Sequence, residues 1–68
     1  MQVNSRPSYF VILERKGPIE AIFRVYEQRD GEIELMFKMS NRGDRLNKLL
    51  KRGIPLDDAK GLFYAMDT

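Results

Sequence analysis

Apolar and polar residues alternate along the chain on both sides of the tripeptide Arg29-Asp30-Gly31. Asp-Gly between two such runs predicts a β-hairpin whose loop holds either two or three residues. A two-residue loop would set Glu27 opposite Glu34, and like charges directly opposite each other destabilise a sheet. A three-residue loop, with Gly31 as a bulge, sets Phe23 opposite Phe37. We therefore expect the three-residue loop.

This register predicts one apolar face for the sheet, which is what a core-facing surface needs. Its members are Ile19, Ala21, Phe23, Val25, Ile33, Leu35, Phe37 and Met39. A preceding strand joins through Lys16-Gly17 and adds Phe10 and Ile12 to the same face. The pattern thus predicts a three-stranded antiparallel meander whose strands cover about residues 8–16, 18–28 and 32–39.

After Met39 the apolar period becomes helical. Ser40 or Asp44 is suited to cap the amino terminus of a first helix. Gly53 fits a left-handed carboxyl-terminal cap, and Pro55 cannot continue the helix. The apolar stripe of this helix is narrow, with Leu46, Leu49 and Leu50.

A second helix is predicted from about Leu56, with Asp57 and Asp58 in its first turn, where acidic side chains are favoured. Its core-facing stripe follows helical spacing and contains Ala59, Leu62, Phe63 and Met66. The predicted fold class is α+β, a three-stranded antiparallel β-meander followed by two α-helices packed on one face.

The chain has 68 residues, which indicates one small domain. Residues 1–7 lack an apolar pattern and are expected to form a loosely ordered arm, residues 8–39 the meander and residues 40–68 the helical part. A domain of this size buries only about 60% of its unfolded surface. Without cysteines to form disulfides, oligomerisation is the common remedy, and we expect a homodimer.

The formal net charge is only +2, so charge placement is more informative than the total. The first eight residues lack the apolar segment of a secretory signal, and no run is long enough to cross a bilayer. We therefore expect a cytoplasmic protein that makes no membrane contact.

The absence of histidine and cysteine removes the usual general base near neutral pH, the thiolate nucleophile and most zinc sites. Two carboxylate pairs remain: Glu32 with Glu34 beside the hairpin turn, and Asp57 with Asp58 at a helix start. Solvated surface charge and helix capping explain them more simply than catalysis. We expect a non-enzymatic protein without a metal or other cofactor.

The second face of the predicted sheet is unusually apolar for a surface in contact with water. In the expected register it carries Tyr9, Val11, Leu13, Ile22, Tyr26 and Met36. Three interpretations stay open: this face is covered core, it is a self-association surface, or it binds a protein or single-stranded nucleic acid. In the last case bases would stack on Tyr9 and Tyr26, with Arg24, Lys38 and Arg15 near the phosphates.

The first helix carries a basic stripe. The candidate nucleic-acid-binding residues are Arg42, Arg45, Lys48, Lys51 and Arg52 of this stripe, with Arg24 and Lys38 on the sheet. Such a stripe is often only the solvated side of a helix, but phosphate contact would relieve the repulsion between its charges. We expect a small homodimeric binding or regulatory module that contacts nucleic acid through this helix. The alternative is a protein-binding adaptor or inhibitor that uses the apolar face of the sheet.

Overall fold

The computed structural model describes residues 6–67, which form one three-stranded antiparallel sheet followed by two helices. The elements are β1 (Ser8–Lys16), β2 (Ala21–Arg29), β3 (Glu32–Ser40), α1 (Arg45–Lys51) and α2 (Leu56–Ala65). The predicted β-β-β-α-α fold is confirmed. Most of the predicted arm lies outside the described residues. Of its last two residues, Arg6 donates from its guanidinium to the carboxylate of Asp58 over 3.1 Å.

Both helices pack on one face of the sheet and form a single small core with it. The buried members are Ala21, Phe23, Val25, Met39, Leu49, Ile54, Ala59, Leu62 and Met66. Central strand β2 contributes alternate residues to this core, as a strand with one buried face must. Val25 and Leu49 are completely buried at its centre.

The ends of α1 are set by the residues that the sequence singles out. The carboxylate of Asp44 accepts a hydrogen bond from the backbone amide of Asn47 over 3.0 Å and caps the first turn. Gly53 has a φ of 87°, and the amide of Ile54 bonds back to the Leu49 carbonyl over 3.3 Å. This is a Schellman motif, and it buries Ile54 against the core.

The predicted three-residue loop between β2 and β3 is wrong. Asp30 and Gly31 have φ angles of 53° and 80°, and Arg29 pairs with Glu32, so the turn holds two residues. Glu27 and Glu34 therefore do lie opposite each other. Both sit near the exposed end of the sheet, where water screens their repulsion.

A bulge in β3 then returns the residues that follow it to the faces predicted for them. Val25 pairs with Phe37 but its neighbour Tyr26 pairs with Leu35, so Met36 is the additional residue. Phe37 consequently packs against the core, as expected, whereas Leu35 is placed on the other face and is 44% exposed. The predicted core positions of Leu35 and Ile33 are therefore wrong. The predicted core position of Ile19 is wrong for another reason, because this residue lies in the connection before β2 and is 75% exposed.

The predicted register of β1 is also wrong, and it reverses the two faces of that strand. Lys16 pairs with Ala21 across a connection of residues 17–20, and a second bulge lies between Leu13 and Arg15. Val11 therefore pairs with buried Val25. Because a register slip by an odd number of residues exchanges the faces of a strand, the alternate residues of β1 change sides.

Candidate functional site

A shallow basic groove runs between edge strand β3 and helix α1. It is lined by Phe37, Lys38, Met39, Ser40, Lys48, Lys51 and Arg52. Four of these seven residues are basic and none is acidic. We call this surface the basic groove.

The cap at Asp44 and the turn at Gly53 fix where α1 begins and ends, and so place its basic residues beside β3. The Cζ atom of Arg52 lies 4.5 Å from the centroid of the Phe37 ring. This cation–π contact holds the guanidinium over the strand while leaving the side chain more than a third exposed. The Lys48 ammonium donates to the Arg42 carbonyl over 2.9 Å, which ties the helix to the segment before it.

Arg45 does not lie in the basic groove. Its guanidinium carbon is 4.3 Å from the centroid of the Phe63 ring, and its Nη1 atom is 3.9 Å from the Asp67 carboxylate. Its side chain is only 18% exposed. Arg45 therefore joins α1 to α2, and the basic stripe predicted for the helix is divided between two sides.

Arg42 also lies outside the basic groove, although it is close to it. Its guanidinium approaches the Ile19 carbonyl at 3.5 Å, and its amide donates to the Ser40 hydroxyl over 3.1 Å. The residue is exposed. It extends the positive surface beyond Lys48 toward the end of the sheet that is distant from the β2–β3 turn.

Arg24 and Lys38 meet on the sheet surface opposite the helices, where they share one carboxylate. The Oε1 atom of Glu14 accepts from Arg24 over 2.7 Å and lies 3.0 Å from the Lys38 ammonium. These hydrogen bonds lower the pKa of Glu14 and raise the pKa of Arg24. Arg24 and Lys38 are thus both paired with Glu14. Lys38 lines the basic groove from the edge strand, but its ammonium lies with Glu14 on the side of the sheet opposite the helices.

The sheet face opposite the helices, here called the outer face, differs in composition from the one predicted. Its apolar residues are Phe10, Ile12, Ile22, Tyr26, Ile33 and Leu35. Of the residues predicted for it, Ile22 and Tyr26 are present. Tyr9, Val11 and Leu13 instead lie on the helix side, where the first two pack against the core. Met36, at the β3 bulge, is 36% exposed.

Phe10 and Tyr26 form a stacked aromatic pair on the outer face that the predicted register missed. Phe10 was expected in the core because the pairing of β1 was three residues out of step. The alternating large residues of β1 indicate a strand. They fit either face of the sheet equally well, so the sequence pattern did not decide on which face Phe10 lies.

Tyr9 is held at the edge of the helix side. Its hydroxyl donates to the Glu27 carboxylate over 3.4 Å. Burial, followed by the negative charge of Glu27, raises the pKa of this phenol. Its hydroxyl is therefore a neutral donor at physiological pH, and a stacking role for this ring on the outer face is excluded by its position.

The β2–β3 turn forms an acidic tip at one end of the sheet. Glu27, Asp30, Glu32 and Glu34 cluster there with Arg29 and Ile33. Four acids against one base give the tip the opposite sign from the basic groove.

Comparisons with family models, with curated proteins and with solved structures found no match to this chain. Among the described residues, neither helix has the length and apolar character needed to cross a membrane. Functional proposals for the chain therefore rest on its own geometry and charge.

Proposed function

We propose that this protein is a small non-enzymatic binding module that contacts nucleic acid through the basic groove. The observation that supports this proposal is the position of Lys48, Lys51 and Arg52 along one groove without an acidic lining residue. These cations come from α1 and the residue that caps it, and β3 supplies the apolar floor beside them, so the groove is a product of the fold.

Phosphates suit this arrangement because they relieve the mutual repulsion of the three cationic side chains and release counterions when they bind. The groove floor is apolar at Phe37 and Met39, which favours contact with a sugar or base beside the phosphates. The acidic tip repels the same polyanion. Together the two surfaces orient the molecule, with the α1 end toward the nucleic acid.

Fluorescence anisotropy with short labelled DNA and RNA, single-stranded and duplex, tests this proposal. We expect binding at low salt that weakens as salt rises. Lys51→Ala should weaken binding to every sequence alike, and Lys60→Ala is the matched control because this exposed lysine lies on α2. Absence of binding at low salt would refute nucleic-acid contact.

We further propose that the protein acts as a cytoplasmic homodimer. Support for the dimer comes from the small core, in which nine of the described residues are buried, and from the apolar outer face. The cytoplasmic location stays a prediction from sequence.

A second candidate function is a protein-binding adaptor or inhibitor. The observation that favours it is the outer face, where Ile12, Ile33 and Leu35 are each more than 40% exposed. Surfaces of this kind usually mark a protein interface. Sedimentation separates the two uses of this face, because an adaptor that awaits a different protein would be a monomer at high micromolar concentration.

A further inference from the structure

The two walls of the basic groove differ in chemistry. The α1 wall carries the cations Lys48, Lys51 and Arg52, whereas the β3 wall presents half-buried Phe37 and buried Met39. Among the described residues, no carboxylate pairs with Lys51 or Arg52, and Lys48 donates to a neutral backbone carbonyl. A ligand that fits this groove therefore carries anionic groups along one side and an apolar or aromatic surface along the other.

Arg52 is the residue that joins the two walls. Its guanidinium carbon lies over the Phe37 ring, 4.5 Å from the ring centroid. Phe37 also packs against the core, which fixes the ring beneath the guanidinium. Because Arg52 is itself exposed, the side of the guanidinium away from Phe37 is open to a second flat group. Unpaired bases stack on arginine guanidinium planes in this way.

A nucleic-acid duplex cannot use both walls of the groove at once. Its bases are stacked on one another, so the part that would enter the groove is the sugar–phosphate backbone. Seating this backbone against Phe37 would remove water from phosphates without replacing its hydrogen bonds. A single strand can instead turn its phosphates toward α1 and an unstacked base toward Arg52.

We propose that the basic groove binds single-stranded nucleic acid in preference to a duplex, with one base stacked on the Arg52 guanidinium above Phe37. Lys48 and Lys51 contact the phosphates beside this base. The inference rests on the proposed nucleic-acid binding, and it names the form of the polymer and the residue that selects it. None of the described residues that line the groove has a side-chain amide or carboxylate to read a base edge, so the preference is for unpaired bases rather than for a sequence.

Fluorescence anisotropy at low salt with three labelled probes separates base stacking from phosphate contact. The probes are an oligothymidylate, an abasic strand of the same length, which has the phosphates but no bases, and a thymidylate–adenylate duplex. We expect the wild-type protein to bind the oligothymidylate about tenfold more tightly than the abasic strand, since one stacked base has an effect of this size. The duplex should also bind more weakly than the oligothymidylate, although its higher charge density favours it electrostatically.

Two variants test the role of Arg52. Arg52→Lys keeps the charge but removes the flat guanidinium, so affinity for the oligothymidylate should fall about tenfold while affinity for the abasic strand is unchanged. Arg29→Lys, the same substitution at the acidic tip, is the matched control and should change neither affinity. Phe37→Leu keeps an apolar side chain but removes the ring that positions Arg52, so it should also reduce the preference for the strand with bases. Circular dichroism verifies that each variant is folded.

The outcomes distinguish this inference from the proposed function. Absence of binding to all three probes would refute nucleic-acid contact and this inference together. Equal wild-type affinities for the oligothymidylate and the abasic strand would refute the stacked base and leave phosphate contact in place. A duplex that binds as tightly as the oligothymidylate would contradict the preference for single strands. A preference for the oligothymidylate over the abasic strand that persists in Arg52→Lys would show that the base lies elsewhere, against the role given to Arg52.

Discussion

Phe10 and Tyr26 stack across strands β1 and β2, with ring centroids 5.1 Å apart and ring planes inclined by 9°. The two residues are direct cross-strand partners, so the stack is possible only in the observed register. It lies on the outer face, away from both helices, and therefore links the pairing of the strands to the composition of that surface.

We predict that the Phe10–Tyr26 stack stabilises the fold beyond the area that it buries. Changing Phe10→Leu and Tyr26→Leu, singly and together, in urea unfolding at low protein concentration should give a coupling free energy of about 0.5–1.5 kcal/mol. Additive losses in the double variant would show that the rings contribute only through their separate burial.

Two glycines should respond to alanine in opposite directions. Gly53 has a φ of 87°, so Gly53→Ala should destabilise the protein by about 1–2 kcal/mol. Apart from its chain neighbours and the backbone of its own helix, a Cβ on Gly61 meets no atom within 4 Å, so Gly61→Ala should stabilise α2 by about 1 kcal/mol. Thermal unfolding tests both, and a melting temperature lowered by Gly61→Ala would contradict the open surroundings of that residue.

Arg45 and Lys48 should separate stability from nucleic-acid binding. Arg45→Ala removes the contact with Phe63 and should lower the free energy of unfolding by about 0.5–1 kcal/mol while affinity changes little. Lys48→Ala should weaken binding with a smaller effect on folding. If Arg45→Ala reduced affinity as much as Lys48→Ala, Arg45 would belong to the nucleic-acid-binding surface. The division of the basic stripe into a binding side and a structural side would then be wrong.

The carboxylate of Glu14 should make stability depend on acidic pH. Hydrogen bonds from Arg24 and Lys38 lower its pKa in the folded state below the ordinary value near 4.3. The stabilisation is therefore present above about pH 4.3 and is lost as pH falls through the lower folded-state pKa. The free energy of unfolding should fall less steeply toward acidic pH in Glu14→Gln than in the wild-type chain. An unchanged pH profile would contradict this role of the Glu14 carboxylate.

The helical part of the fold was predictable from local chemistry. Asp44, Gly53 and Pro55 each act through backbone geometry within a few residues, so the ends of α1 follow from the sequence. The presence of a turn between β2 and β3 also follows from the sequence, although its length does not. The choice of a three-residue loop overestimated the repulsion between Glu27 and Glu34, which is small at an exposed end of the sheet.

The strand registers were less accessible because they depend on two bulges without a sequence signal. Neither Glu14 nor Met36 is a glycine or another residue typical of a bulge. Each bulge changes which side chains face the helices. The predicted pairing of β1 was three residues out of step, and this moved Phe10 into the predicted core. The basic groove forms where α1 packs beside β3, and its lining residues come from separate parts of the chain.

The salt dependence of nucleic-acid binding tests the proposed function most directly. If Lys48, Lys51 and Arg52 each contact a phosphate of duplex DNA, log Kobs should fall against log salt concentration with a slope of about −3. Lys48→Ala and Lys51→Ala should each reduce the steepness by about 1, and Lys60→Ala should leave it unchanged. Absence of binding at low salt, or a slope that these two variants do not alter, would contradict the basic groove as the nucleic-acid site.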